Sequence, residues 1–142
     1  MIRIRWVSAT ERPVQIARGM NPQAEQLKAR TKRFALDALA FIDAWPRSFS
    51  NDHVGRQLCR SATSVAANYR AACRARSKAE FAAKIGLVLE EADESLFWLE
   101  IVDARRVGPE IERRRLLVEA NELTAIFVAS NVTVRQSLGA TR

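Results

Sequence analysis

The sequence predicts an all-α protein, an antiparallel up-down-up-down four-helix bundle built as one domain. Three observations predict it. Alternating runs of β-branched and aromatic residues are nearly absent after the first seven positions, so strands have no carrier. Beyond residue 22, glycine and proline fall at candidate breaks (Pro46, Gly55, Gly108, Pro109, Gly139), with Gly86 inside a helix as the exception. In the long segments around those breaks, apolar residues recur at spacings of three and four, the period of one helix face. With 142 residues, 48% of them hydrophobic, the chain is long enough for one core and too short for two.

Residues 1–22 carry four arginines, an isolated Trp6 and no helical period that survives Pro13, and read as an irregular or disordered leader. A basic arm that touches nucleic acid is the alternative. Met20, just before the helix-start signal Asn21-Pro22, is a second candidate start, which would leave residues 1–19 untranslated. The bundle is expected over 23–138 and a short tail over 139–142. The first helix, from Gln23 to Trp45, presents Leu27, Phe34, Ala35, Ala38, Phe41, Ile42 and Trp45 on one side. Pro46 ends it, because its ring removes a donor and biases the preceding residue away from helical dihedrals.

Ser50, Asn51 and Asp52 are good N-cap residues, so the second helix is expected to start among them, despite the helix-weakening Gly55, and to run to about Ala75. On a wheel of 100° per residue, Val54, Leu58, Ser61, Ala62, Val65, Tyr69, Ala72 and Cys73 share one side. Arg56, Arg60, Arg70 and Arg74 fall within roughly 80° of arc on the other, with the small residues Thr63, Ala67 and Ala71 between them. This arginine ridge is the most informative surface in the sequence.

Ser77-Lys78-Ala79-Glu80 has the capping-box form and starts the third helix at Lys78. Its core face is Phe81, Ile85, Val88, Leu89, Ala92, Leu96 and Leu99. A flanking stripe holds Glu80, Lys84, Leu87, Glu91, Glu94 and Trp98, the pattern of a helix with two neighbours. Gly108-Pro109 breaks the chain, and Ile111, Leu116, Leu117, Ala120, Leu123, Ile126, Phe127 and Val134 carry a fourth helix to about Leu138, with Gly139 as its stop.

Catalytic chemistry has little to stand on. His53 is the single histidine and sits at a helix start, so a nucleophile triad would have to rest on it alone, the two cysteines lack the companion histidines of a zinc site, and no Gly-rich phosphate loop is present. Glu90, Glu91, Asp93 and Glu94 lack the Glu-x-x-His partners of helical di-iron sites. Cys59 and Cys73, fourteen residues apart on one helix, are separated by roughly 21 Å, too far to bridge. No cofactor, metal or catalytic residue is expected. The uncharged run from Leu123 to Val134 is short of the roughly 20 apolar residues that span a bilayer, and the N-terminus has no secretory h-region, so the expected location is cytoplasmic, away from the membrane.

The formal charge of +7 and a pI near 10.4 suit an acidic partner. Two readings of the ridge stand open. In one, Arg56, Arg60, Arg70 and Arg74, extended by Arg76 and Lys78, bind the phosphates of RNA or DNA. In the other they pair with Glu91 and Glu94 of a neighbouring protomer, with Ala67 and Ala71 allowing close helix approach and Trp98 at the contact. Ser64 and Asn68 sit at the edge of the apolar face, where Asn68 is expected to bond a neighbouring backbone or side chain. Tyr69 is expected in the core, while Ser77 and Glu80 cap.

The run Gln57 to Val65, then Ala67-Asn68-Tyr69-Arg70, Ala72, Ala75 to Phe81, Lys84, Glu91 to Glu94 and Trp98-Leu99-Glu100 resembles a family of four-helix-bundle proteins that includes those encoded in intervening sequences of bacterial 23S ribosomal RNA genes. It is also similar to the accessory variability determinant of diversity-generating retroelements, which assists a reverse transcriptase. The resemblance covers about residues 20 to 138. It implies a homo-oligomer, a pentameric ring of basic protomers, and in some members association with nucleic acid or a reverse transcriptase. One position departs from the family pattern: a glutamate usually follows Asn-Tyr-Arg, and here Ala71 stands there, which leaves the ridge more positive.

Overall fold

The structure, a computed structural model, describes residues 21–140. Four helices, α1 (Pro22–Asp43), α2 (Phe49–Ala72), α3 (Lys78–Ala104) and α4 (Glu110–Gly139), follow one another through connections of five residues each, with no strand among the described residues. Connections this short turn each helix back against the one before it. Each helix packs on its neighbours in sequence, and α1 closes the ring on α4 over a smaller contact. The fold is the all-α bundle the apolar period predicts. The expected leader lies outside the described residues apart from Asn21, whose side chain accepts from the Gln23 amide at 3.0 Å, and Pro22, in the first turn of α1. The expected tail does too, apart from Gly139 and Ala140 at the end of α4.

The core is the set of inward positions on all four helices. Phe34, Leu58, Tyr69, Ile85, Leu99, Leu116, Leu123 and Phe127 are among its largest fully buried side chains. Tyr69 of α2 reaches across the bundle to Phe127 of α4, ring centroids 5.5 Å apart. Its hydroxyl is buried without a hydrogen bond of normal geometry beside the Cys73 thiol, and burial pushes the pKa of both groups up. Two small polar residues sit where α2 meets α3: the hydroxyls of Ser61 and Ser95 are 2.9 Å apart, and Ser95 also donates to the Glu91 carbonyl. Side chains this short let the two helices approach closely while remaining satisfied.

The ends of α2 differ from the sequence expectation. The N-cap is Ser48, whose hydroxyl accepts from the Asn51 amide at 3.0 Å, so the helix opens ahead of the expected caps Ser50, Asn51 and Asp52. Asn51 instead donates to the Pro46 carbonyl and Asp52 takes Arg47, so both side chains hold the connection rather than the cap. At the other end α2 stops at Ala72, because Arg74 and Ala75 donate to carbonyls three residues back and tighten the chain into the corner. α1 likewise tightens at Ala44 and Trp45, two residues before the proline limit. Gly55, which weakens a helix in isolation, is buried where α2 crosses α1: a Cβ there would lie 3.2 Å from Ile42 Cγ2, so the missing side chain permits the approach. At the α3 N-terminus the Ser77 hydroxyl accepts from the Glu80 amide at 3.0 Å, and the Glu80 carboxylate returns to the Arg76 amide, one residue short of the cap itself.

The α3–α4 corner is the most constrained connection. Val107 donates to the Val102 carbonyl and Arg106 to that of Asp103, the Schellman pattern, with Arg106 at φ 55° in the left-handed region. A side chain there costs about 1–2 kcal/mol that glycine avoids. Arg106→Gly is therefore expected to stabilise the protein by about 0.5–1 kcal/mol after the entropy cost of glycine, seen as a higher urea midpoint with an unchanged slope. A lower midpoint would mean that the Arg106 side chain does more than occupy the turn.

Candidate nucleic-acid interface

Arg56, Arg60 and Arg70 stand on the exposed side of α2, while Arg74, expected on the same helix, lies just past its end in the connection; all four are exposed. The stripe of α3 from Glu80 to Trp98 lies alongside, so the two helices bound a shallow groove. Its two ends differ in charge.

At the end nearer the start of α2, Arg60 Nη1 lies 3.3 Å from Glu91 Oε1, and Arg60 Nη2 bonds Glu94. The hydrogen bond from Arg60 holds the Glu94 carboxyl below its ordinary pKa, and the Trp98 indole, 3.3 Å away, adds a second donor. The same pairing raises the Arg60 pKa. His53 meets the edge of Trp98, ring centroids 6.0 Å apart, and closes this end. The partner that the scaffold reading sought on a neighbouring protomer is thus supplied to Arg60, Glu91 and Glu94 within the chain. Arg56 makes no ion pair with a described residue, but it stands on the far side of Arg60 from the other cations.

At the α2–α3 corner the groove opens into a concavity. Arg70 lines it from α2, Arg74 and Arg76 from the connection and Lys84 from α3, together with the small residues Ala67 and Ala71. The lining contains one carboxylate, Glu80, which is engaged with the Arg76 amide. Arg70 and Arg74 make no ion pair with a described residue, and an alanine at 71 brings none. Lys78 does not line the concavity. Asn68 points its amide to the Ser64 carbonyl in its own helix, at 2.9 Å, rather than to a neighbour, and takes no part in the site. Lys84 is the residue that sequence reasoning left out of the cation set. Its signal was present, since it follows Glu80 by one turn on the stripe that faces α2.

The sequence model of a known family matches residues 24–129, from the first turn of α1 to the last third of α4. The chain belongs to the 23S rRNA-intervening sequence protein family. The family match takes in the whole ridge, the corner and the α3 stripe. A comparison with curated proteins finds no match. Among solved structures, the fold is similar to that of a Bacteroides thetaiotaomicron protein described as being of unknown function and from the S23 ribosomal protein family. The two are 24% identical, with a TM-score of 0.63 over 73% of this chain and 96% of that one. That likeness is one of fold. Among its described residues, this 23S rRNA-intervening sequence protein has no helix long and apolar enough to cross a membrane.

Proposed function

We propose that this protein binds nucleic acid without catalysing a reaction, through the cations gathered at the α2–α3 corner, and that it serves as a basic accessory protein, in some settings beside a reverse transcriptase. One observation carries the reading: Arg70, Arg74, Arg76 and Lys84 converge from three segments of chain on a surface whose single carboxylate is already engaged. Fixed cations of this kind release counterions when they meet phosphates. The remaining chemistry supports a binding role. His53 packs edge to face against Trp98, and burial raises the Cys73 thiol pKa, which leaves less of the nucleophilic thiolate.

A different observation favours a second reading, assembly with copies of the same chain. On α4, Ile111, Val118 and Val132 stand 80%, 59% and 49% exposed at steps of seven and fourteen, with Ala125 at the heptad position between the last two, the spacing of a helix seam. It would place the contact on α4 rather than on the arginine ridge, and the two readings are compatible.

Fluorescence anisotropy with a single-stranded RNA, titrated across salt concentrations beside a sizing column, tests both. The expected log-log slope is about −3 for four phosphate contacts. Arg70→Glu combined with Arg74→Glu is expected to abolish binding at unchanged particle size, while Arg56→Glu changes affinity little. Full retention of binding in the double variant would overturn the nucleic-acid reading, and loss of the assembly in it would return the ridge to the scaffold role.

A further inference from the structure

The change in charge along the α2–α3 groove bears on what kind of phosphate it can hold. A strand lying along the full ridge, from Arg74 to Arg56, has to pass Glu91 and Glu94, and the guanidinium between them, Arg60, is already bonded to both. Repulsion there disfavours a continuous phosphate track. At the corner the balance is opposite: four cations against one carboxylate leave a formal excess of three positive charges around one concavity. The cations come from both helices and from the connection, so they surround a point instead of following a line. An internal phosphodiester brings a single negative charge to such a point, whereas a phosphate monoester brings about −1.5 to −2 near neutral pH, with three acceptor oxygens for donors arriving from several sides. Arginine forks suit that geometry, and a lysine supplies a further point charge. The alanines at 67 and 71 leave room for the group to sit low between the helices.

We infer that the concavity at the α2–α3 corner binds the terminal phosphate of a nucleic-acid strand, with Arg70, Arg74 and Lys84 as its principal contacts. The inference rests on the nucleic-acid reading above and narrows it to strand ends. The strand leaves the corner toward solvent, away from Glu91 and Glu94.

The test compares one single-stranded RNA of fixed sequence carrying a 5′-phosphate, a 3′-phosphate or hydroxyls at both ends, by anisotropy at constant ionic strength. A phosphorylated end is expected to tighten binding at least tenfold over the hydroxyl-ended strand. Lys84→Ala and, separately, the exposed Arg74→Gln are expected to erase most of that difference, with helicity by circular dichroism unchanged. Equal affinity for all three strands would overturn the inference and leave the nucleic-acid reading standing. No binding of any strand would overturn both. A terminal-phosphate preference that survives both variants would overturn the placement at this corner, and competition by a mononucleotide as effective as the phosphorylated strand would overturn the strand as the ligand.

Discussion

Gly108→Ala is expected to lower stability by about 3–5 kcal/mol, the largest effect of a methyl group added at any of the described glycines. Two costs act together. Gly108 has φ +77°, where an alanine is strained whatever the space around it. The added Cβ would also stand 2.6 Å from Phe41 Cε2 and 2.8 Å from Trp45 Nε1, distances that real carbon atoms do not tolerate. Neither ring has room to retreat: Phe41 and Trp45 are 3% and 7% exposed and pack edge to face with centroids 5.4 Å apart. A loss of this size is a large part of the roughly 5–15 kcal/mol that holds a domain folded, so the denaturant midpoint should fall steeply at constant slope. Gly86→Ala is the control. Apart from its chain neighbours and the backbone of its own helical turn, nothing lies within 4 Å of its Cβ position inside α3, so the same change should stabilise by about 0.5–1 kcal/mol. Equal effects at the two positions would refute the account of the corner.

Arg113→Met is expected to cost about 2–4 kcal/mol, although it replaces a charge with an apolar side chain of similar volume. Arg113 is 5% exposed, and its guanidinium joins the same corner from three directions. Nε donates to Asp103 at 3.0 Å, and Nη1 to the carbonyls of Gly108 at 2.9 Å and Val107 at 3.5 Å. Methionine fills the space but leaves those carbonyls and the carboxylate without a donor. The partial exposure of Asp103 keeps the loss below that of a fully buried pair. Arg113→Lys should recover little, since an ammonium lacks the planar fork that reaches a carboxylate and a carbonyl together. Unfolding curves for the two variants that coincide with the parent would show that the guanidinium is dispensable.

What the sequence reveals about this fold follows from where its signals are periodic. Each helix carries its core face in a run of three- and four-residue steps, and the capping box at Ser77 and the proline at 46 mark ends through local chemistry alone. The start of α2 was less legible because Ser48 competes with three equally good caps downstream, and the choice is made by Asn51 and Asp52 engaging the preceding connection. The arginine ridge could be read from one helix by itself. Its division into a neutralised and an unneutralised half could not, since that depends on the register of α3 against α2, set in part by the Ser61–Ser95 contact. Arg113 was hidden in a run of three arginines. Its position is nonetheless in step with Leu116, Ala120, Leu123 and Phe127, and a basic residue in phase with a core face is the signal that would have found it.

The small contact between α1 and α4 gives the bundle a weak side. Arg30 spans that seam to Glu119 and Glu122, and Arg115 to Asp37, so ionic links supplement the limited packing there. The α2–α3 pair stands on the opposite edge of the ring, held by a more extensive contact that includes the buried Ser61–Ser95 pair. Local opening is therefore expected first along the α1–α4 seam, away from the basic corner, with amide hydrogen exchange faster there than along α2 and α3.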